Sequence, residues 1–542
     1  MSLYGAGRET TPRLLAWAKR HAVIFDRAIA PAPWTLPSHA SVFTGLDADR
    51  HGANIEGPLS GRLPVLAELL RRAGYETRAT TVGPVLAPEF GLDRGFARFR
   101  VRGTFPNLEA AARELDWGAA HVLEWLREGG RRPDFVFLHT YQAHDPHSPE
   151  QPAFARLGGV IEDERSYVTV GESTTDALGR YQLAWQLVTP TNPGGRAIVP
   201  GTDERLLRDL YDSGLVVLDE KIAGLLERLE VEGLAENLVV ILFSDHGESL
   251  LERGLAGHHH LYEENLHVPL LVAAPGIAHR GRRIATPVSL VDILPTVLEL
   301  AGIAAPSGLD GISLAGSLEG QEPPSRPVWS YAGSSNRGFA VRRDGFDKLL
   351  FLSSAWAAGR PRGQLMRLDE DAAEERPLPV APPMLAELVQ EVGKRIAAMP
   401  QALRVELSNQ SSEEFELVLI GRGAYVGGVE SLSAPAGCCA FGPNEVRAKL
   451  PPGTRYDLTL IDRREPDPRV EIGGHRGPAF ARPADIEANF AFEGRRWARA
   501  GTGTPAALAR VRLTRDSPLG PVGSPGDAEE ALARLRALGY VD

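Results

Sequence analysis

Six apolar residues stand in a row at Leu238-Val239-Val240-Ile241-Leu242-Phe243, and Ser244-Asp245-His246-Gly247-Glu248 follows at once. A run this short and this unbroken fits a strand covered on both faces, as in a parallel sheet, and is far below the ~18 residues of a membrane-spanning helix. Ahead of it, Leu207, Leu210, Tyr211, Leu215, Leu218, Ile222, Leu225 and Leu229 recur at helical spacing. A long amphipathic helix thus feeds a buried strand whose carboxyl end is immediately polar. That order predicts an α/β protein with a doubly wound, mostly parallel sheet and a site at its carboxyl edge.

The rest of the first 390 residues repeats the pattern. Thr11-Pro12 opens a helix with Thr11 as its cap, and Ala22 to Phe25 reads as a strand. Pro37 opens a second helix that Gly45 closes, with Thr35 just ahead of it, where free N–H groups favour an anion. Val65 to Ala73 reads as a helix, Phe135 to Leu138 and Val268 to Ala273 as strands, and Ile293 to Ala301 as a helix. After about Pro400 the pattern changes. Val405 to Leu407, Phe415 to Ile420 and Tyr456 to Ile461 are strands between polar turns, which predicts a small β domain over 402–475. A C-terminal segment, 476–542, ends in an amphipathic helix near 528–540.

Composition limits the partners. With 59 basic against 70 acidic side chains the formal charge is −11, which argues against a protein whose main partner is nucleic acid. The two cysteines, Cys438 and Cys439, are adjacent and give no disulfide framework. The amino terminus does not read as a signal peptide.

Several clusters could carry chemistry. Asp245-His246 offers one oxygen and one nitrogen ligand, a mixture that suits zinc or manganese better than calcium. A capping turn is the plainer reading of Asp-His-Gly. One or two of His258, His259 and His260 could join the same ion, or the three could line a solvated loop. His139, His144 and His147 crowd another strand end, where an imidazole could bind an anionic ester or protonate its leaving group. His139 reads best as a core residue and His144 as functional. Thr35 is inert as an alcohol unless a metal lowers its pKa.

Four segments together resemble the sulfatase family of the alkaline-phosphatase superfamily: Pro33-Trp34-Thr35-Leu36-Pro37-Ser38-His39 to Thr44-Gly45, Leu138 to His147, Phe243 to Glu248, and Gly257 through Tyr262-Glu263-Glu264 to Leu270. The likeness covers about 1–380 and the closing Leu535 to Val541. It implies an α/β fold of alkaline-phosphatase type over 1–390 and hydrolysis of a sulfate or phosphate ester through a covalent intermediate. It also implies a divalent metal, with zinc, manganese or calcium as candidates. By resemblance Thr35 is the nucleophile, Asp245 and His246 ligate the metal, and His144 and His258 contact the anionic group or the leaving oxygen. His39, His147 and His259 would complete the substrate contacts. The histidine loop is one residue shorter than usual before Tyr262, so its slot falls to His258 or His259.

Two departures shape the expectation. Sulfatases carry Cys or Ser at the nucleophile position, oxidised to formylglycine, and Arg four residues on; here those positions hold Thr35 and His39. A secondary alcohol cannot give the aldehyde, so no formylglycine is expected, and the preference tilts to phosphate esters or phosphonates. Family members also begin with a buried strand ending in metal-binding Asp residues, whereas this sequence opens on the stretch that follows it, Leu3-Tyr4-Gly5 and Thr11-Pro12. A native start upstream of Met1 is therefore expected. The substrate would be a small anionic ester, sugar- or lipid-linked, with no nucleic acid and no membrane span. The alternatives are a transferase moving a phospho-group to a sugar or lipid, and a noncatalytic binding protein with a degenerate metal site.

Overall fold

A computed structural model gives the fold. It describes residues 1–53, 59, 63–102, 114–144, 153–158, 202–258, 260–333, 338–343, 347–352, 364–379 and scattered positions in 387–395, and then the backbone of the strands between 401 and 516. The predicted elements of the first 300 residues appear where the sequence puts them: helices Pro12–His21, Thr35–Thr44, Leu66–Arg72, Thr202–Val231 and Ile293–Leu300, and strands Ala22–Phe25, Asp134–Leu138, Val240–Phe243 and Leu270–Ala273.

Helix starts differ in detail. The Pro12–His21 helix is capped from a distance, since Asp219 of the long helix accepts the N–H groups of Arg13 at 3.0 Å and Leu14 at 2.7 Å. Thr11 makes no side-chain cap and instead accepts the Leu3 N–H. A carboxylate does the same work with the helix dipole in its favour. The second helix begins at Thr35 itself, two residues before Pro37. Proline is tolerated there because the first four helical N–H groups have no intrahelical acceptor. Gly45 closes this helix at φ 67°, a left-handed conformation natural to glycine.

Strands Arg98–Arg102, Glu76–Val82 and Asp134–Leu138 form one parallel sheet in that order. A second sheet runs Arg283–Ile284, Ala22–Phe25, Leu270–Ala273, Val240–Phe243; its first pair is parallel and the other two antiparallel. Among the described residues the Val240–Phe243 strand is therefore an edge, half-buried along its length, and not a strand covered on both sides. Asp134–Leu138 is likewise a half-buried edge. Among the described residues each of these two strands pairs on one side only. Both edges lean on the Thr35–Thr44 helix: the His39 ring lies 5.8 Å from Phe137 and 6.2 Å from Phe243.

The sequence reading missed a five-stranded antiparallel sheet, Val328–Ala332, Gly338–Arg343, Asp347–Leu352, Gln364–Arg367 and Leu378–Pro379. Beyond 400 the strands pair antiparallel in two sheets. Gln401–Asn409 lies between Arg455–Asp462 and Ala509–Asp516, and Phe415–Ile420 between Glu445–Leu450 and Arg469–Ile472. The β region thus runs past the expected boundary at 475, because Asp485–Glu493, Arg496–Ala500 and Ala509–Asp516 share the first of these sheets. The helix expected near 528–540 lies outside the described residues. Among the described residues no helix is long and apolar enough to cross a membrane.

Edge strands leave every second amide without a ladder partner. In the chain that begins at Met1, amides in Asp134–Leu138 and Val240–Phe243 are expected to exchange with solvent at least ~10-fold faster than those of Glu76–Val82 and Leu270–Ala273, which pair on both sides. Equal protection by hydrogen-exchange mass spectrometry would contradict the pairing.

Candidate active site

The two edge strands deliver their carboxyl ends to the amino end of the Thr35–Thr44 helix. Val240–Phe243 leads to Asp245 and His246, and Asp134–Leu138 leads to His139 and, one turn later, His144. The Ser249–Leu250 and Ala256–Gly257 hairpin brings in His258. Three elements far apart in sequence thus converge on one point. Thr35 is buried, and its Oγ1 lies 3.2 Å from His246 Nε2. The Ser38 hydroxyl donates to the Asp245 carbonyl at 2.6 Å, tying the helix to the strand end.

The tautomer of His246 follows from its other nitrogen. Nδ1 lies 2.8 Å from the Gly247 carbonyl, which only accepts, so Nδ1 carries the hydrogen and Nε2 presents a lone pair. Burial lowers this imidazole to about 4, with His258 and His144 adding to the effect against Asp245, so it is neutral at pH 7. Asp245 behaves oppositely. Burial alone would raise its carboxyl, yet His246, His39 and His139 hold it well below the usual carboxylate range, and it is anionic.

Asp245 Oδ2 is buried without a hydrogen bond, 3.5 Å from His246 Nε2 and 3.3 Å from His39 Nδ1. The His39 hydrogen points elsewhere, to the Thr35 carbonyl at 2.9 Å. Two lone-pair donors therefore face each other across 3.5 Å in a buried site, which is unfavourable unless a cation lies between them. The separation is close to the roughly 3.4 Å edge of a tetrahedron of ligands at about 2.1 Å. Asp245, His246 and Thr35 fit a divalent cation in both chemistry and spacing. Ligand atoms of His144, His246 and His258 also lie within 4.8 Å of one another. His258 Nδ1 is 3.4 Å from a Glu248 carboxylate oxygen, the carboxylate–imidazole pairing that fixes a functional ring.

The other predicted residues divide. His39, expected among the substrate contacts, is turned onto Asp245 and the Thr35 carbonyl and is packed by Phe137, His139 and Phe243. It occupies the place behind the carboxylate because the helix directs it into the core at position i+4 from Thr35. His139 is a core residue: burial, then His39, lowers it to about 3, and its Nδ1 accepts the Val82 N–H at 3.3 Å. His260 is buried, and burial with Arg253 lowers it to about 4. His147 and His259 lie outside the described residues.

Glu114 escaped the sequence reading, because a lone glutamate at the start of a helix gives no signal. Its Oε1 accepts from the Thr140 hydroxyl, which in turn accepts the Gln142 N–H at 3.1 Å, so it holds the turn that carries His144.

A family model described as Sulfatase matches residues 1–303. The chain belongs to the sulfatase family. It is accordingly an ester hydrolase of the alkaline-phosphatase superfamily, in which a divalent metal is general. Among curated relatives it is 25% identical to the choline-sulfatase of Rhizobium meliloti (strain 1021) over 60% of this chain and 70% of that one. It is 38% identical to arylsulfatase K of Bos taurus over 58% of this chain, spanning 62% of that relative. Among solved structures it resembles the phosphonate monoester hydrolase of Agrobacterium radiobacter, with a TM-score of 0.56, 20% identity, and coverage of 73% of this chain and 92% of that one. This last likeness is one of fold.

Burial raises the Glu114 carboxyl from 4.5 to about 7. Between those pH values the native protein retains a proton that the unfolded chain has released, so stability falls as pH rises, by roughly 3 kcal/mol in all. Glu114→Gln is expected to flatten this slope in urea melts between pH 5 and 8. An unchanged slope would place the titration elsewhere.

Proposed function

We propose that this sulfatase-family protein hydrolyses small anionic phosphate esters or phosphonate monoesters, with Thr35 as a covalent nucleophile. The reading rests on one observation above the others: the Thr35 hydroxyl points at an unprotonated imidazole nitrogen beside a buried, unbonded carboxylate oxygen. Asp245 and His246, with Thr35 itself, would hold the divalent cation. When bound, such an ion lowers the pKa of the alcohol and draws charge from the ester oxygen.

This chain's residues supply the remainder. The helix amino terminus presents Thr35 and offers unpaired N–H groups toward an anion. The Thr35 oxygen attacks phosphorus, the bond to the leaving oxygen breaks, and His144 or His258 gives that oxygen a proton. The proton lost by the Thr35 hydroxyl on attack leaves to solvent; water then cleaves the phosphothreonine and returns a proton to the same imidazole, while the departing Thr35 oxygen takes up a proton from solvent and becomes the alcohol again. His39 keeps the Asp245 carboxylate in place and takes no part in bond making. Threonine at this position supports phosphorus over sulfur, because the formylglycine route of sulfatases needs a primary alcohol or thiol.

Thr35→Ala is expected to lower kcat by at least ~10³-fold with a smaller loss of metal than Asp245→Asn, which removes the anionic ligand and should lose both. Metal analysis and turnover on aryl phosphate, phosphodiester, phosphonate monoester and aryl sulfate check this together. Near-native activity of Thr35→Ala, or sulfate as the fastest substrate by a wide margin, would contradict it.

A further inference from the structure

Behind the histidine loop lies a cluster of six charges that the chemistry above does not use. Glu263 and Glu264 open the short Glu263–Leu266 helix that follows the loop. Lys348 is wholly buried and places Nζ 3.1 Å from Glu263 and 2.8 Å from Glu374, which is itself wholly buried. Arg342, also buried, pairs with Glu263, and Arg253 pairs with Glu264. Arg253 further stacks over Tyr262, its Cζ 4.0 Å from the ring centre, and donates to the Ala373 carbonyl. Glu374 also accepts the Glu263 N–H at 2.7 Å. Three carboxylates thus meet three cations, drawn from the loop hairpin, the short helix, the Gly338–Arg343 and Asp347–Leu352 strands and the turn at 371–374.

The backbone is strained at this same place. Among the described residues the non-glycine positions with positive φ are Leu251 at 76°, Arg253 at 53° and Glu374 at 54°. All three belong to this cluster or to the hairpin it grips. Conformations of this kind cost about 1–3 kcal/mol each and persist only where the surroundings over-determine them. A buried ionic cluster does not by itself stabilise a fold better than apolar packing would, so its presence calls for another explanation.

The path from the cluster to the site is short. Asn265, on the anchored helix and fully buried, accepts the His260 N–H on Oδ1 at 3.0 Å, and its Nδ2 donates to Ser249 Oγ at 3.1 Å and toward the Gly257 carbonyl at 3.4 Å. Those contacts bracket His258 on both sides. Its ring centre lies 4.3 Å from that of His246 and 5.0 Å from that of His144.

We infer that Lys348, Glu374 and Arg342 are positioning residues for the ester hydrolysis, acting through the Glu263–Leu266 helix and Asn265 to hold His258 against the reacting group. This rests on the reading that His258 contacts the substrate.

The test compares Lys348→Met and the charge-balanced Lys348→Met/Glu374→Gln, each with His258 intact and with His258→Ala, on the fastest ester of the panel above. With His258 present, kcat is expected to fall about 10–100-fold and KM to change less than ~3-fold, the scale seen when a supporting shell is removed. In the His258→Ala background the same changes should cost less than ~2-fold further. Equal losses in both backgrounds, or a folded double variant with native kcat, would overturn the inference. Should Lys348→Met fail to fold, the balanced double variant decides. Exchange of the His260 amide gives a readout independent of turnover: it should quicken at least ~10-fold in the double variant, and unchanged exchange would overturn the anchoring. Full activity of His258→Ala alone would instead sink the reading of the site, a different result from either.

Discussion

A buried carboxylate oxygen with no hydrogen bond, facing the lone pair of a neutral imidazole, is the interaction on which the rest of this molecule turns. Asp245 and His246 are consecutive residues just past the end of the Val240–Phe243 strand, and their facing atoms lie 3.5 Å apart. The Thr35–Thr44 helix is laid against them by the Ser38 contact to the Asp245 backbone, so the position of Thr35 follows from the same constraint. His39 faces the carboxylate from behind, and His144 and His258 flank His246 on the side away from the core. An anionic carboxylate beside the neutral imidazole of His246 at the tip of a sheet forms a place that fits a cation, with the Thr35 alcohol at its lip.

Much of this was legible in the amino-acid order. Strongly periodic or strongly apolar segments, such as 207–229 and 238–243, announce their own structure because burial of their side chains dominates local energetics. The polar residues directly after a strand announce a site because a sheet's carboxyl edge is where backbone direction places them. Asp245, His246 and His144 stand out on that ground, His258 through the run of three histidines, and Thr35 through its place ahead of Pro37.

What stayed hidden depends on contacts distant in sequence. Leu238 to Phe243 has the composition of a fully covered strand, yet its coverage depends on neighbours that no local pattern specifies. Nothing in Asp219 marks it as the cap of a helix two hundred residues earlier. Lys348, Arg342 and Glu374 read as ordinary surface charges, and only the fold brings them together in the interior. The same holds for His39, whose motif position suggested a substrate contact and whose helical phase turns it inward.

The central claim is that Thr35 carries the transferred group. Rapid acid quenching during turnover of an aryl phosphate, followed by peptide mass spectrometry, tests it directly. The account predicts a phosphoryl adduct on the Thr35 hydroxyl that forms within the dead time and disappears as substrate is exhausted. An unmodified Thr35 under conditions where dephosphorylation limits the rate, or an adduct on one of the histidines instead, would contradict it.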